Sequence, residues 1–153
     1  MGCMSKHLRR SHNVNLLLYH LVCPAKRRKK VFTEEVDVEL KKVCNEIGLC
    51  YEMIFIEIGS DEDHVHFLIQ TIPIHSPTNI AKKIKSITAR HLLKKYPWIK
   101  KETLGANLWT SGYYISTVGV HGNENVISKY VERQGKKYSQ IHRSSLGLFD
   151  GLE

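Results

Sequence analysis

Three features that would point to other classes of protein are missing from this sequence. No apolar run approaches the ~18–20 residues that a membrane-spanning helix requires. The first residues, MGCMSKHLRRSHN, carry basic side chains but no apolar stretch and no small-residue cleavage site, so they do not look like a signal peptide. The four cysteines form no C-x-x-C pair and match no zinc framework. We therefore expect a cytoplasmic protein with reduced thiols and no membrane partner.

Acidic residues are also scarce, with 15 Asp and Glu against 23 Lys and Arg and a net charge of +8. This excess favours an acidic partner, of which nucleic acid is the commonest, although a merely soluble basic surface would have the same charge. Much of the excess lies in two groups that are candidates for DNA binding: Lys26, Arg27, Arg28, Lys29 and Lys30 in one run, and Lys82, Lys83, Lys85 and Arg90 in a predicted helix.

The hydrophobic pattern predicts a single domain over residues 1–153 with its core at about 12–135. Strands are predicted at 13–23, 51–59, 64–71 and 109–120. One helix is predicted from the Thr33 cap to Gly48, another from Ser76 and Pro77 to Pro97, and a third at 123–134. This order predicts an α+β, ferredoxin-like antiparallel sheet with helices on one face and a further C-terminal helix. The tail from Tyr138 onward is polar, and we expect it to be flexible.

The segment DHVHFLI places His64 and His66 on one face of a predicted strand, because side chains two residues apart point the same way. Their Cα atoms would be roughly 6.5–7 Å apart, so both imidazoles could bind one cation. Two polar residues on the solvent face of a sheet are the alternative. Asp63 would face away if the strand includes it, whereas Glu57 on the preceding strand is a possible third ligand.

Tyr130 and Gln134 lie four residues apart and therefore share a face of the predicted last helix. A tyrosine hydroxyl is a poor nucleophile at neutral pH, but a divalent cation on a phosphodiester would assist its attack. Gln134 could give that cation an amide oxygen. An ordinary tyrosine on an amphipathic helix is the alternative interpretation of Tyr130, which is one of seven tyrosines.

Several segments together resemble one family. DHVHFLI is similar to the HUH motif (histidine, bulky apolar residue, histidine) of rolling-circle-type nucleases. The other matching segments are CPAKRRKKVF, NIAKKIKSITAR, LWTSGYYISTVG and ISKYVERQ. In this order they resemble the TnpA-type single-tyrosine HUH transposases of the insertion-sequence 200/605 group. One departure is Ser86, where relatives often carry glycine.

The resemblance implies an enzyme that cleaves and rejoins single-stranded DNA at insertion-sequence ends. Tyr130 would be the nucleophile, forming a 5′-phosphotyrosine intermediate. His64, His66 and Gln134 would bind Mg²⁺ or Mn²⁺. The family also implies a homodimer, hairpin DNA as partner, and a nucleoid-associated protein of a bacterial or archaeal cytoplasm.

Other functions fit parts of the pattern. A non-catalytic module binding single-stranded RNA or DNA could use the same fold, with the histidines and Tyr130 incidental. A domesticated HUH endonuclease and a structural metal protein are further alternatives. Trp109, Tyr113 and Tyr114 could stack on bases, but packing in a core or a dimer is the favoured interpretation.

Overall fold

The fold is described from a computed structural model, for residues 17–105 and 107–118 and for the backbone of 137–140. The strands are β1 Leu17–Pro24, β2 Ile54–Ser60, β3 His64–Thr71, β4 Tyr114–Thr117 and β5 Lys137–Gln140. The helices are α1 Glu34–Tyr51, α2 Pro77–Lys95 and the short α3 Trp98–Glu102, with a 3₁₀ turn at Lys26–Arg28. None of the helices in these ranges is long and apolar enough to cross a bilayer.

The strands form one sheet in the order β4-β1-β3-β2-β5, and each neighbouring pair is antiparallel. The first four positions follow the ferredoxin-like order. Helices α1 and α2 share one hydrophobic core with the same face of the sheet, through residues such as Leu40, Ile84, Phe67 and Leu21. The predicted α+β class and antiparallel sheet are therefore confirmed. The predicted third helix, with Tyr130 and Gln134, lies outside the described residues.

Both main helices begin where their capping residues predict. The Thr33 hydroxyl accepts a hydrogen bond from the Val36 N–H at 3.3 Å, and the Ser76 hydroxyl accepts one from Asn79 at 3.1 Å. Each bond satisfies a backbone donor that has no partner within the helix. Pro77 at the start of α2 loses nothing, because its missing N–H would have no helical partner.

The prediction that Gly48 ends the first helix is wrong, because α1 continues to Tyr51. Glu52 then takes a left-handed conformation with φ 56°, and its N–H donates to the Gly48 carbonyl. The chain returns so closely that a Cβ at residue 48 would lie 2.5 Å from the Met53 carbonyl oxygen. Gly48 therefore permits a close backbone approach and does not mark the end of the helix.

Strand β2 starts later than predicted, since residue 51 still belongs to α1. It also has a bulge between Phe55 and Glu57. Phe55 and Ile58 both join the core under the helices, whereas Glu57 pairs with Leu68. The bulge therefore breaks the simple alternation of the sequence and keeps a fully buried carboxylate out of the helical core.

The predicted strand 109–120 is shorter in the structure, where β4 covers only Tyr114–Thr117. Trp109 makes an isolated bridge to Ala25 and is buried, stacked on Phe32 with ring centroids 5.1 Å apart. Between Trp109 and β4 the carbonyl oxygens of residues 110–112 accept hydrogen bonds from the Lys85 ammonium, as described below, in place of strand pairing.

The prediction of a flexible tail from Tyr138 onward is wrong for the first residues of that tail. Residues Lys137–Gln140 form β5, which pairs antiparallel with β2. The physical reason is that β2 otherwise presents unpaired backbone N–H and C=O groups on that side, and an added strand satisfies them. Residues 141–153 lie outside the described part of the chain.

Candidate metal centre and nucleic-acid surface

Strand β3 separates the hydrophobic core from the candidate site. Val65, Phe67 and Ile69 belong to the core beneath the helices. The alternation of a strand places His64 and His66 on the opposite face, as their spacing predicts. Their ring centroids are 4.9 Å apart with the planes at 74°. His66 is 5% exposed, so this face is not an ordinary solvent-exposed surface.

His66 is held by a third histidine on the neighbouring strand. Nε2 of His20 in β1 lies 3.0 Å from Nδ1 of His66, and the two rings stack at 5.3 Å with 13° between their planes. Burial, and then the proximity of His20 and His64, lowers the pKa of His66 to about 4. His66 is therefore uncharged at neutral pH and keeps the lone pair that a metal ligand needs.

His64 is held by a carboxylate. Its Nδ1 lies 2.7 Å from Oδ1 of Asp63, and Arg28 Nε donates to the other oxygen of Asp63 at 3.1 Å. The hydrogen bond from His64, together with Arg28, lowers the pKa of Asp63, which stays ionised and accepts the Nδ1 proton. Asp63 does not face away, because β3 begins only at His64 and the preceding residue belongs to the turn.

The two histidines fit a divalent cation. Both Nδ1 atoms are engaged by other side chains, so Nε2 is the remaining nitrogen of each ring that could coordinate a cation. Nε2 of His66 is buried, and within the described ranges it has no hydrogen-bond partner. Nε2 of His64 lies 3.9 Å from an Asp61 carboxylate oxygen.

A complete ligand set is not present in the described part of the chain, where no three His, Cys, Asp or Glu side chains converge on one point. Glu57 faces the same side of the sheet as the histidines, opposite Leu68 rather than His66. Gln134, the predicted third ligand, lies outside the described residues, as does Tyr130. Their roles stay predictions.

The basic run at residues 26–30 lies beside this site. Its backbone is tied to the β2–β3 turn, since Ala25 N–H donates to the Asp63 carbonyl at 2.8 Å and Phe32 N–H to the Glu62 carbonyl at 3.1 Å. Lys30 Nζ lies 3.3 Å from Glu62, and Arg28 binds Asp63. The side chains from residue 27 to residue 30 are exposed. A phosphate backbone bound there would pass close to His64.

The predicted DNA-binding residues of α2 have different environments. Lys82 and Arg90 are exposed. Lys83 Nζ lies 4.6 Å above the Tyr51 ring. Lys85 donates to three backbone carbonyls, those of residues 110, 111 and 112, at 2.7, 3.1 and 3.4 Å. Lys85 is thus occupied in holding the loop before β4, and all four cations belong to α2, which packs on the face of the sheet opposite the histidines.

The three candidate stacking aromatics also differ. Trp109 is buried, and its Nε1 donates to the Thr88 hydroxyl at 2.9 Å, in agreement with packing rather than base stacking. Tyr113 and Tyr114 are exposed. The Tyr114 ring lies edge-on to His20 with centroids 6.2 Å apart, which brings an exposed aromatic to the rim of the histidine site.

Sequence reasoning missed His20 because it treated each strand separately. The available signal was a histidine within the apolar run of the first strand, on a strand that the ferredoxin-like order places next to β3. Antiparallel pairing sets His20 opposite Leu68, diagonal to His66, and diagonal neighbours on one face are within reach of long or aromatic side chains.

Comparison with known proteins identifies the relatives of this chain. A family model described as "Transposase IS200 like" matches residues 13–134. The ISDra2 transposase TnpA of Deinococcus radiodurans is 33% identical over 121 residues, covering 79% of this chain and 86% of that protein. The transposase of insertion sequence element IS200 from Salmonella typhimurium is 24% identical over 116 residues, covering 76% of this chain and 75% of its own length.

Solved structures give the same result for the fold. A crystal structure of a proposed transposase from Deinococcus radiodurans R1 superimposes with a TM-score of 0.67 and 29% identity, covering 83% of this chain and 97% of the other. A REP-associated tyrosine transposase bound to a REP hairpin has a TM-score of 0.52 at 14% identity, over 84% and 69% of the two chains, and this likeness concerns the fold alone. The match over most of the sequence shows that this chain belongs to the IS200-like transposase family.

Proposed function

We propose that this transposase cleaves and rejoins single-stranded DNA at insertion-sequence ends in a metal-dependent reaction, with Tyr130 as the nucleophile. The observation that carries the proposal is the arrangement of His64 and His66 on β3. Both rings have Nδ1 engaged by a neighbouring side chain, so both can present Nε2 to one cation. A pair of incidental surface histidines would not require both rings to be oriented in this way.

His64 and His66 would hold the cation, and Gln134 is proposed as the third ligand. We propose Mg²⁺ or Mn²⁺, although imidazole ligands also suit Zn²⁺ and Ni²⁺. When bound, the cation would neutralise negative charge on the scissile phosphate. The protein contributes two oriented imidazoles, and burial keeps the pKa of His66 low, so that this ring is neutral.

The chemical step proposed for Tyr130 is a transesterification. Its hydroxyl oxygen forms a bond to phosphorus, and the bond from phosphorus to the 3′ oxygen of the preceding nucleotide breaks. The phenol loses its proton and the departing 3′ oxygen gains one, leaving a 3′-hydroxyl and a 5′-phosphotyrosine. Attack by another 3′-hydroxyl reverses the step, so rejoining needs no nucleotide cofactor.

The DNA partner is proposed to be a hairpin next to the cleavage site. The exposed cations of residues 27–30 lie beside the turn that carries Asp63, so phosphates bound there would lead toward the histidines. A structural relative was solved with a REP hairpin bound, which makes hairpin DNA a reasonable probe. The homodimer implied by the family resemblance is part of the same proposal.

A denaturing gel tests this function. The protein is incubated with Mg²⁺ and a labelled single-stranded hairpin carrying the end of the element, then denatured. We expect a labelled, protein-sized band that is absent with EDTA, in Tyr130→Phe and in His66→Ala. Tyr130→Phe should still bind the hairpin, because only the hydroxyl is lost.

His91→Gln is the matched control, since His91 lies on α2, where it binds Glu39 on the helical side of the sheet. It should form the adduct at the wild-type level. Hairpin binding without any covalent band under these conditions would favour a non-catalytic binding module instead.

A further inference from the structure

We propose that His20 is a positioning residue that sets the orientation and the protonated nitrogen of His66, so that Nε2 of His66 becomes the ligand atom. This role rests on the proposed function, in which His66 is a metal ligand. It assigns a function in the site to a side chain of the first strand of the sheet.

The contact between the two rings is specific. Nε2 of His20 lies 3.0 Å from Nδ1 of His66, within hydrogen-bond distance, and the stacked planes differ by 13°. His20 is 2% exposed and His66 is 5% exposed, so water has little access to the bond. The edge of the Tyr114 ring packs against His20 from β4. Tyr114 on β4 thus packs against His20 on β1, and His20 in turn holds the ring of His66 on β3.

The hydrogen bond allows two arrangements of protons, and only one of them suits a metal ligand. If Nδ1–H of His66 donates to Nε2 of His20, then Nε2 of His66 keeps its lone pair. If Nε2–H of His20 donates instead, the proton of neutral His66 lies on its own Nε2, where it blocks coordination. The first arrangement also matches His64, whose Nδ1–H donates to Asp63.

The two ligands differ in the partner that orients them, and their burial explains the difference. The side chains of His64 and Asp63 are 18% and 27% exposed, so a carboxylate remains hydrated there and is also paired with Arg28. His66 lies deeper, where an ionised carboxylate would have a high desolvation cost. A neutral imidazole can accept the same hydrogen bond without placing a charge in that position.

Two substitutions separate the hydrogen bond from the packing. His20→Phe keeps a flat ring but removes the acceptor, whereas His20→Gln provides an amide oxygen that can accept. The first measurement is the ¹⁵N chemical shifts of the His66 ring in the metal-free protein at pH 7.5, which report the nitrogen that carries the proton. The second is the affinity for Mn²⁺ alone, by calorimetry. His91→Gln is the control for both.

We expect wild-type His66 to carry its proton on Nδ1. His20→Phe should lose this preference and bind Mn²⁺ about tenfold more weakly, as loss of an outer-shell partner typically does. His20→Gln should keep the preference and most of the affinity, and the control should match the wild type.

A wild-type His66 protonated on Nε2 would overturn the proposal, and so would unchanged tautomer and Mn²⁺ affinity in His20→Phe. If His20→Phe does not fold, the wild-type tautomer and the His20→Gln variant still decide the question. Failure of the proposed function would look different. The wild type would then form no covalent DNA adduct, whatever the metal-free ring shifts show about His20.

Discussion

The Asp63 carboxylate lies 2.7 Å from Nδ1 of His64, at the point where the β2–β3 turn becomes strand β3. Arg28 binds the other carboxylate oxygen, so the basic run, the turn and the first histidine are joined by consecutive side-chain contacts. The candidate metal centre is therefore connected to the surface proposed to bind phosphates. A carboxylate behind a ligand imidazole fixes its orientation and raises its basicity.

Asp63→Asn should weaken Mn²⁺ binding by about tenfold, because a neutral amide is a poorer acceptor for the His64 proton. The measurement is calorimetric titration with Mn²⁺. Glu62→Gln is the matched control, since the neighbouring carboxylate pairs with Lys30 and not with a histidine. Equal affinities in the two variants would show that Asp63 does not support the ligand.

Lys82 and Lys85 both belong to the predicted DNA-binding group, but we expect their substitution to have different effects. Loss of Lys82 should affect DNA binding, whereas loss of Lys85 should affect stability. Lys82→Ala should leave urea unfolding unchanged and, if Lys82 contacts one phosphate, lower the salt dependence of single-strand binding by about 0.7 in the logarithmic slope. Lys85→Met should instead lose about 1 kcal/mol of stability, because three carbonyl contacts to the loop at 110–112 disappear. A Lys85→Met protein of wild-type stability would contradict the structural role.

Gly48→Ala should destabilise the protein by about 1–3 kcal/mol, since the added Cβ has to displace the Met53 backbone. The sign is the reverse of the usual effect inside a helix, where alanine is favoured over glycine. Chemical denaturation of the two proteins measures the difference. Gly112→Ala is the control, because a Cβ there meets nothing within 4 Å. A stabilised Gly48→Ala variant would show that the close approach to residue 53 is absent.

The low pKa of Glu39 on α1 predicts that the stability of the fold depends on pH, independently of the candidate site. Hydrogen bonds from Lys95 and then from His91 lower the pKa of its carboxyl from 4.5 to about 2. A lowered pKa stabilises the fold above the ordinary value, and this contribution is lost as the pH falls from about 4.5 toward 2. Glu39→Gln should therefore be less stable than the wild type at pH 7, and the difference should shrink below pH 4.5.

Urea denaturation at pH 7, 4 and 3 tests this. The control is Glu46→Gln, which changes an exposed carboxylate of the same helix and should show a smaller difference at each pH. A stability difference for Glu39→Gln that stays constant down to pH 3 would contradict the lowered pKa.

The sequence allowed the fold class to be predicted because local signals were strong. Thr33 and Ser76 cap the two main helices, and the apolar period of β3 separates His64 and His66 from the core. Those features depend on neighbours within a few residues. The family motifs then gave the correct family, and the comparisons confirm it.

The remaining features depend on contacts between residues distant in the chain. His20 meets His66 across 46 residues, and Lys85 meets the loop before β4 across 25 to 27. No periodicity reports such pairs, so sequence reasoning missed the first and treated the second as a phosphate contact. The prediction that Gly48 ends the helix is wrong because a glycine required for close backbone approach looks the same in sequence as a glycine that ends a helix.

The most direct measurement of the central claim is the position of the covalent DNA link. The protein is incubated with Mg²⁺ and the hairpin, trimmed with nuclease, digested with trypsin and analysed by mass spectrometry. Tyr130 falls in the peptide YVER and Tyr138 in YSQIHR, so the two are easily told apart. We predict a nucleotide phosphate on YVER alone, lost in His66→Ala. A modified peptide containing any other tyrosine, or an adduct on YVER that persists in His66→Ala and in EDTA, would contradict the proposed reaction.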